Sequence, residues 1–130
     1  MRPVSVAISI DELSDAWVLA VKGELDYGES AAFRIEVERI LRARPAAVIV
    51  DFSQVDYLDS SGLGLLLSLS REYGETDGQL VLVPSEPVDA VLEMTRLKGV
   101  FTLEADVASA FRLLRNTDTP ARWRPDPATC

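Results

Sequence analysis

Between residues 46 and 71 the apolar positions change period. Ala47 to Phe52 is a nearly continuous apolar run, broken only by Asp51 near its end. Such a run suits a short strand buried on both faces among parallel neighbours. A polar stretch follows, and then Leu63, Leu66, Leu67 and Ser70 recur at i, i+3, i+4 and i+7, with Leu65 and Leu69 widening the stripe. That spacing predicts an amphipathic helix opening at Asp59-Ser60-Ser61-Gly62 and running to Arg71. Two glycines, Gly62 and Gly64, fall in its first turn. Each costs a helix about 1 kcal/mol relative to Ala, so bare backbone is expected to serve close packing or close approach by another molecule.

Upstream, Val4, Val6, Ile8 and Ile10 alternate as in a half-buried strand. Asp11 to Asp15 reads as a turn. Ala16 to Val21 reads as a second strand, with Trp17, Leu19 and Val21 on one face, and the short connection predicts an antiparallel hairpin. Gly23 to Asp26 ends it. Glu29 to Arg44 carries Phe33, Val37, Ile40 and Leu41 at helical spacing, offers Glu38 and Arg42 as an i,i+4 pair, and stops at Pro45. Strand, helix, strand in that order implies a parallel crossover.

Downstream, residues 73–78 read as a turn and Gln79 to Val83 as a fourth strand. A short helix from Pro87 follows, with Val88, Val91, Leu92 and Leu97 inward and its end at Lys98-Gly99. Val100 to Leu103 is a short strand, and Asp106 caps a last helix with Val107, Ala110, Phe111 and Leu114 inward. The class is α/β or α+β with a mixed sheet: an N-terminal antiparallel hairpin, then parallel crossovers, about five strands and four helices. Residues 1–115 form one domain. Residues 116–130 hold three prolines and little apolar pattern, which favours a flexible, solvated tail. Trp123, between Arg122 and Arg124, offers the alternative of docking on the domain or on a partner.

Composition narrows the function. The net charge of −8 argues against nucleic acid as a direct ligand, which favours a basic face. No apolar run approaches the roughly 18 residues of a membrane span, and Met1-Arg2-Pro3 has no signal-peptide core. A single cysteine, Cys130, excludes an internal disulfide framework and points to a reducing, cytoplasmic setting. The chain has no histidine, which removes Ser-His-Asp and Cys-His catalysis, His-based zinc sites and phosphohistidine transfer together. Asp59-Ser60-Ser61-Gly62-Leu63 is not the G-x-S-x-G of a nucleophile elbow, and only Lys22 and Lys98 exist as lysine bases. The expectation is a non-enzyme in which a serine is the substrate of another protein's chemistry.

Where that serine stands follows from the strand order. If the second and third strands are parallel, their C-terminal ends share one sheet edge, the edge that ligands favour. That places Gly23–Asp26 beside Asp56–Ser61, with Asp26, Asp56 and Asp59 near the two hydroxyls. Three carboxylates are a candidate divalent-metal site; solvated turn carboxylates making local hydrogen bonds are the simpler reading. The helix N-terminus stabilises either a capping hydroxyl or a phosphate.

The run Val55-Asp56-Tyr57-Leu58-Asp59-Ser60-Ser61-Gly62-Leu63-Gly64 resembles the signature of the STAS domain (sulfate transporter and anti-sigma factor antagonist), in its bacterial anti-sigma factor antagonist branch. Lys22-Gly23-Glu24-Leu25-Asp26 is similar to a second family turn, and the order of elements agrees from about residue 4 to 115. The resemblance implies a central sheet with helices mainly on one side. It implies that Ser60, the first serine of the run, accepts a phosphate, with Ser61 left to capping. It implies that Asp26, Asp59, Ser60, Ser61, Gly62, Leu63 and Gly64 form the partner-binding surface. The implied partner is an anti-sigma factor that is also a serine kinase using Mg-ATP. The unmodified antagonist binds it and frees a sigma factor, phosphorylation blocks binding, and a metal-dependent serine phosphatase reverses the mark. ATP and Mg belong to the kinase, so no cofactor or metal is assigned to this chain.

Three rival readings remain. One is a STAS subunit or regulatory domain of a transport system with no phosphoswitch. Another is a nucleotide- or ligand-binding module, although no G-x-x-x-x-G-K-[ST] run is present. The third is a receiver using Asp51, for which neither the acidic pair after strand one nor a suitably placed lysine is visible.

Overall fold

A computed structural model of the chain describes residues 6–13, 16–26, 28, 30–74 and 79–116. Of the expected turns at 11–15 and 73–78, residues 11–13 are strand and residues 73–74 are helix; residues 14–15 and 75–78 and the tail with Trp123 and Cys130 lie outside the described residues.

The order is β1 (Val6–Leu13), β2 (Ala16–Leu25), α1 (Ser30–Ala43), β3 (Ala47–Leu58), α2 (Ser60–Gly74), β4 (Gln79–Pro84), α3 (Glu86–Met94), a 3₁₀ turn (Lys98–Val100), β5 (Thr102–Leu103) and α4 (Val107–Asn116). The strands lie side by side in sequence order. β2 to β5 are mutually parallel, and β1 pairs with β2 antiparallel, Val6 opposite Gly23 and Leu13 opposite Ala16. The architecture is thus α/β, four helices on four parallel strands.

Three crossovers of one hand put three helices on one face. There Phe33, Val37 and Ile40 of α1, Leu66, Leu69 and Tyr73 of α2, and Val88 and Leu92 of α3 close over Leu19, Val48, Val50, Phe52 and Leu82. Phe33 meets Phe52 with ring centroids 5.7 Å apart. The fourth helix leaves β5 for the opposite face, where Ala110 and Leu114 cover Ala16, Ala47, Ile49, Val81 and Val83.

Several boundaries differ from the sequence reading. β3 does not end at Phe52 but continues to Leu58. β2 likewise runs through Gly23 and Glu24 to Leu25, so the expected turn there is strand. Pairing survives two register shifts, between Ala20 and Lys22 and between Gly23 and Glu24. Gly23 takes φ 104° at the second shift, a conformation that favours glycine. Between α3 and β5, Arg96 adopts φ 60° and ends the helix ahead of Lys98-Gly99, which belongs to the 3₁₀ turn. Glu38 and Arg42 do not close as an ion pair; Arg39 instead meets Glu36 at 3.5 Å and lies 5.6 Å over the Trp17 ring.

α4 starts on Asp106, whose carboxylate accepts the Ser109 N–H at 2.7 Å while its carbonyl accepts the Ala110 N–H at 3.0 Å. The Ser109 N–H above all, then the Ser109 hydroxyl and Arg112, holds the Asp106 carboxyl below its ordinary value of 3.8. A carboxyl lowered by folding stabilises the fold above its unfolded value and loses that contribution as the pH falls through the folded value. Asp106→Asn, an equally good cap without the charge, is therefore expected to flatten the acid limb of a thermal-midpoint profile below pH 3.8 and to leave neutral pH nearly unchanged.

Candidate functional site

The C-terminal ends of β2 and β3 do lie side by side, Leu25 opposite Leu58, and the Asp59 N–H donates to the Leu25 carbonyl at 3.3 Å. α2 begins directly there. Its cap is Asp59 rather than either serine. The Asp59 carbonyl accepts the Leu63 N–H at 3.0 Å, the first helical bond. Its Oδ1 accepts the Ser61 N–H at 2.9 Å and the Gly62 N–H at 3.4 Å. This is the arrangement expected of an N-cap carboxylate, which also complements the helix dipole.

The serines separate accordingly. Ser61 is half-buried, and its hydroxyl donates to Asp59 Oδ1 at 2.6 Å. It braces the cap and is not itself the cap. Ser60, at the first helical position, is exposed. Because Asp59 already takes the Ser61 and Gly62 N–H groups, a phosphate on Ser60 does not inherit them. It stands outward as about −1.5 to −2 charge beside a carboxylate.

The two glycines do different jobs. Gly62 is buried, and a Cβ there would fall 2.7 Å from Leu58 Cδ1 and 3.0 Å from Leu25 Cγ. The helix start is therefore seated on the two strand ends through bare backbone. Gly64 is exposed, and a Cβ there would meet nothing within 4 Å. Leu63, 9% exposed, belongs to the core. Of the residues expected to face a partner, Gly62 and Leu63 are buried in packing positions. Ser60 and Gly64 are exposed; Asp26, Asp59 and Ser61 are half-buried. Among the described residues no group of three or more acidic or cysteine side chains is placed to hold a metal ion, so Asp26, Asp56 and Asp59 do not assemble one.

Two neighbours of the site went unassigned in the sequence. Ser85 caps α3, accepting the Val88 N–H at 3.2 Å, and its hydroxyl donates to the Val55 carbonyl at 2.6 Å. It ties α3 to the strand that delivers Ser60. The signal was present in Ser85-Glu86-Pro87, a capping residue two positions before a proline in the first turn. Ser85→Ala is expected to lower stability by about 1–2 kcal/mol in a denaturant titration, from a lost cap and an unpaired carbonyl. Tyr57, 51% exposed, lies opposite Glu24 near the end of β3, three residues before Ser60 in the chain.

The profile of the STAS domain family matches residues 7–110, and this chain belongs to that family. Over 74 residues it is 28% identical to the anti-sigma-F factor antagonist RsfB of Mycobacterium tuberculosis, a match covering 57% of this chain and 61% of that protein. The matched stretch thus spans less than two thirds of that relative. Among solved structures, an anti-sigma factor antagonist from Mycobacterium paratuberculosis superposes with TM-score 0.79 at 24% identity, covering 88% of this chain and 98% of that one. SpoIIAA in its unphosphorylated form superposes with TM-score 0.69 at 23% identity, covering 86% and 100%. At those identities the likeness is one of fold. Among the described residues no helix is long and apolar enough to cross a membrane.

Proposed function

We propose that this chain is an anti-sigma factor antagonist switched by phosphorylation of Ser60. It acts by binding rather than catalysis. Unmodified, it engages an anti-sigma factor through the exposed start of α2, with Ser60 and Gly64 at the centre and Tyr57 beside them, and a sigma factor is released. The anti-sigma factor's kinase activity transfers the γ-phosphoryl of Mg-ATP to Ser60. The Oγ–phosphorus bond forms as the bond to ADP breaks, and the hydroxyl proton passes to a base of the kinase. A serine phosphatase restores the hydroxyl.

The observation that carries this reading is the division of labour between the serines. Ser61's hydroxyl is committed to Asp59, whereas Ser60 stands exposed on the first turn, where a kinase can reach it. The kinship with proteins named anti-sigma factor antagonists supports the same role. So does the fact that SpoIIAA, of the same fold, has been solved in a phosphorylated form.

The test is reconstitution with an anti-sigma factor kinase captured from the same cells by the unmodified chain. Wild type and Ser60→Ala are expected to bind it alike, and Mg-ATP is expected to dissociate only the wild type. Dissociation of both, or retention of phosphate by Ser60→Ala, contradicts the assignment.

A further inference from the structure

From Ala20 opposite Asp51 to Lys22 opposite Gln54, β2 advances two residues and β3 advances three. β3 therefore carries one extra residue, a bulge, and a bulge re-aims the side chains around it. Phe52 and Val55 both enter the core on the side of α1, α2 and α3. Ser53 and Gln54, between them, are both exposed, so two consecutive polar side chains are turned to the other face. Asp51 shares that face with Ala47 and Ile49, which α4 covers. Lys22 stands there too, since its neighbour Val21 enters the three-helix core.

These side chains surround an open-sided cavity of about 260 Å³, with Ala20 as its one apolar lining residue on this face. Ile8 and Val21 border it but pack on the three-helix side. α4 leaves it uncovered, because its cluster on β2 and β3 takes in Ala16, Ala47 and Ile49, with Val18 packed against it. Asp51 Oδ1 accepts the Ser53 N–H at 3.0 Å and the Ser53 hydroxyl at 2.6 Å, and Oδ2 is left open. Among the described residues, the Lys22 ammonium and the Gln54 amide have no hydrogen-bond or ion-pair partner.

We propose that this cavity binds a small zwitterion of the α-amino-acid class. The ligand's carboxylate meets the Lys22 ammonium, with the Gln54 amide as a further donor, and its ammonium group meets Asp51 Oδ2. Size fits a small molecule, since pockets that take drug-sized ligands hold roughly 300–1,000 Å³. Charge selects the class. One cation and one carboxylate line the same cavity, so a ligand of a single sign meets repulsion as well as attraction. A polyanion such as a nucleotide is opposed further by the net charge of −8. Lys22 is exposed and its charge is screened by water, so the affinity is expected in the millimolar range.

The test is titration of the full-length ¹⁵N-labelled protein with glycine, followed through its amide resonances. Saturable shifts are expected at Ala20, Lys22, Asp51, Ser53 and Gln54, with Phe33 and Val37 of α1 unmoved. Acetate and methylammonium, which each carry one of glycine's two charges, are expected to bind at least about tenfold more weakly. Lys22→Met and Asp51→Asn are each expected to weaken glycine by at least about tenfold as well. Neither is expected to move the thermal midpoint, because Lys22 is exposed and Asn keeps the oxygen that holds Ser53. Acetate binding as tightly as glycine overturns the proposal in favour of a simple anion site. Shifts centred on another surface, shifts that do not saturate, or an undiminished response in the two variants overturn it outright.

Discussion

Phosphorylated at Ser60, the protein is expected to bind its anti-sigma factor at least about a hundredfold more weakly, a loss of roughly 3 kcal/mol. The unmodified surface offers a small neutral hydroxyl, and four residues further along the same helix face the bare backbone of Gly64. A partner fitted to those two positions comes close to the first turn of α2. The phosphate adds bulk and about −1.5 to −2 charge there. It is not absorbed by the helix, since Asp59 already accepts the Ser61 and Gly62 N–H groups. The added charge therefore has to be desolvated at the interface. The fold, in contrast, is expected to respond little, because Ser60 is exposed and the helix dipole offsets part of the repulsion from Asp59. Calorimetric titration of the two forms against the anti-sigma factor, with thermal melts alongside, separates lost binding from lost structure.

The second large effect contrasts two glycines two residues apart. Gly62→Val is expected to destabilise the domain by about 2–3 kcal/mol, because its side chain enters space already held by Leu58 and Leu25. A loss of that size lowers the thermal midpoint by roughly 10 °C in a domain of this length. Gly64→Ala is expected to do the reverse, raising stability by about 1 kcal/mol through helix propensity in open space. If Gly64 lies under the partner, that more stable variant nevertheless binds the anti-sigma factor more weakly. Equilibrium unfolding of both variants, followed by a binding titration of Gly64→Ala, reads all three outcomes. Destabilisation by Gly64→Ala contradicts the geometry, and unchanged binding removes Gly64 from the interface.

Much of this site was legible in the residues. The leucine stripe from Leu63 to Leu69 placed α2. The alternation of strands and helices placed the ends of β2 and β3 side by side, and so set Ser60 at a sheet edge. What escaped was local. Asp and Ser are equally good caps, so Asp59-Ser60-Ser61 does not reveal which of the three caps the helix. Hydrogen-bond geometry decides for Asp59. The extension of β3 was hidden because Val55 and Leu58, three apart, break strict alternation; both nevertheless join the core across the bulged pairing with β2. Glycine spacing likewise does not say which glycine meets a neighbour. That depends on Leu25, far off in the chain and brought there by the parallel register.

The most direct test of the switch is intact-mass analysis of the protein taken from its own cells, with peptide mapping across Asp56 to Arg71. A population heavier by one phosphoryl group is expected, located on Ser60 and absent from a Ser60→Ala strain. Absence of phosphate under every growth condition, with Ser60→Ala behaving as wild type, contradicts it and leaves Ser60 as an ordinary first-turn residue of a constitutive STAS subunit.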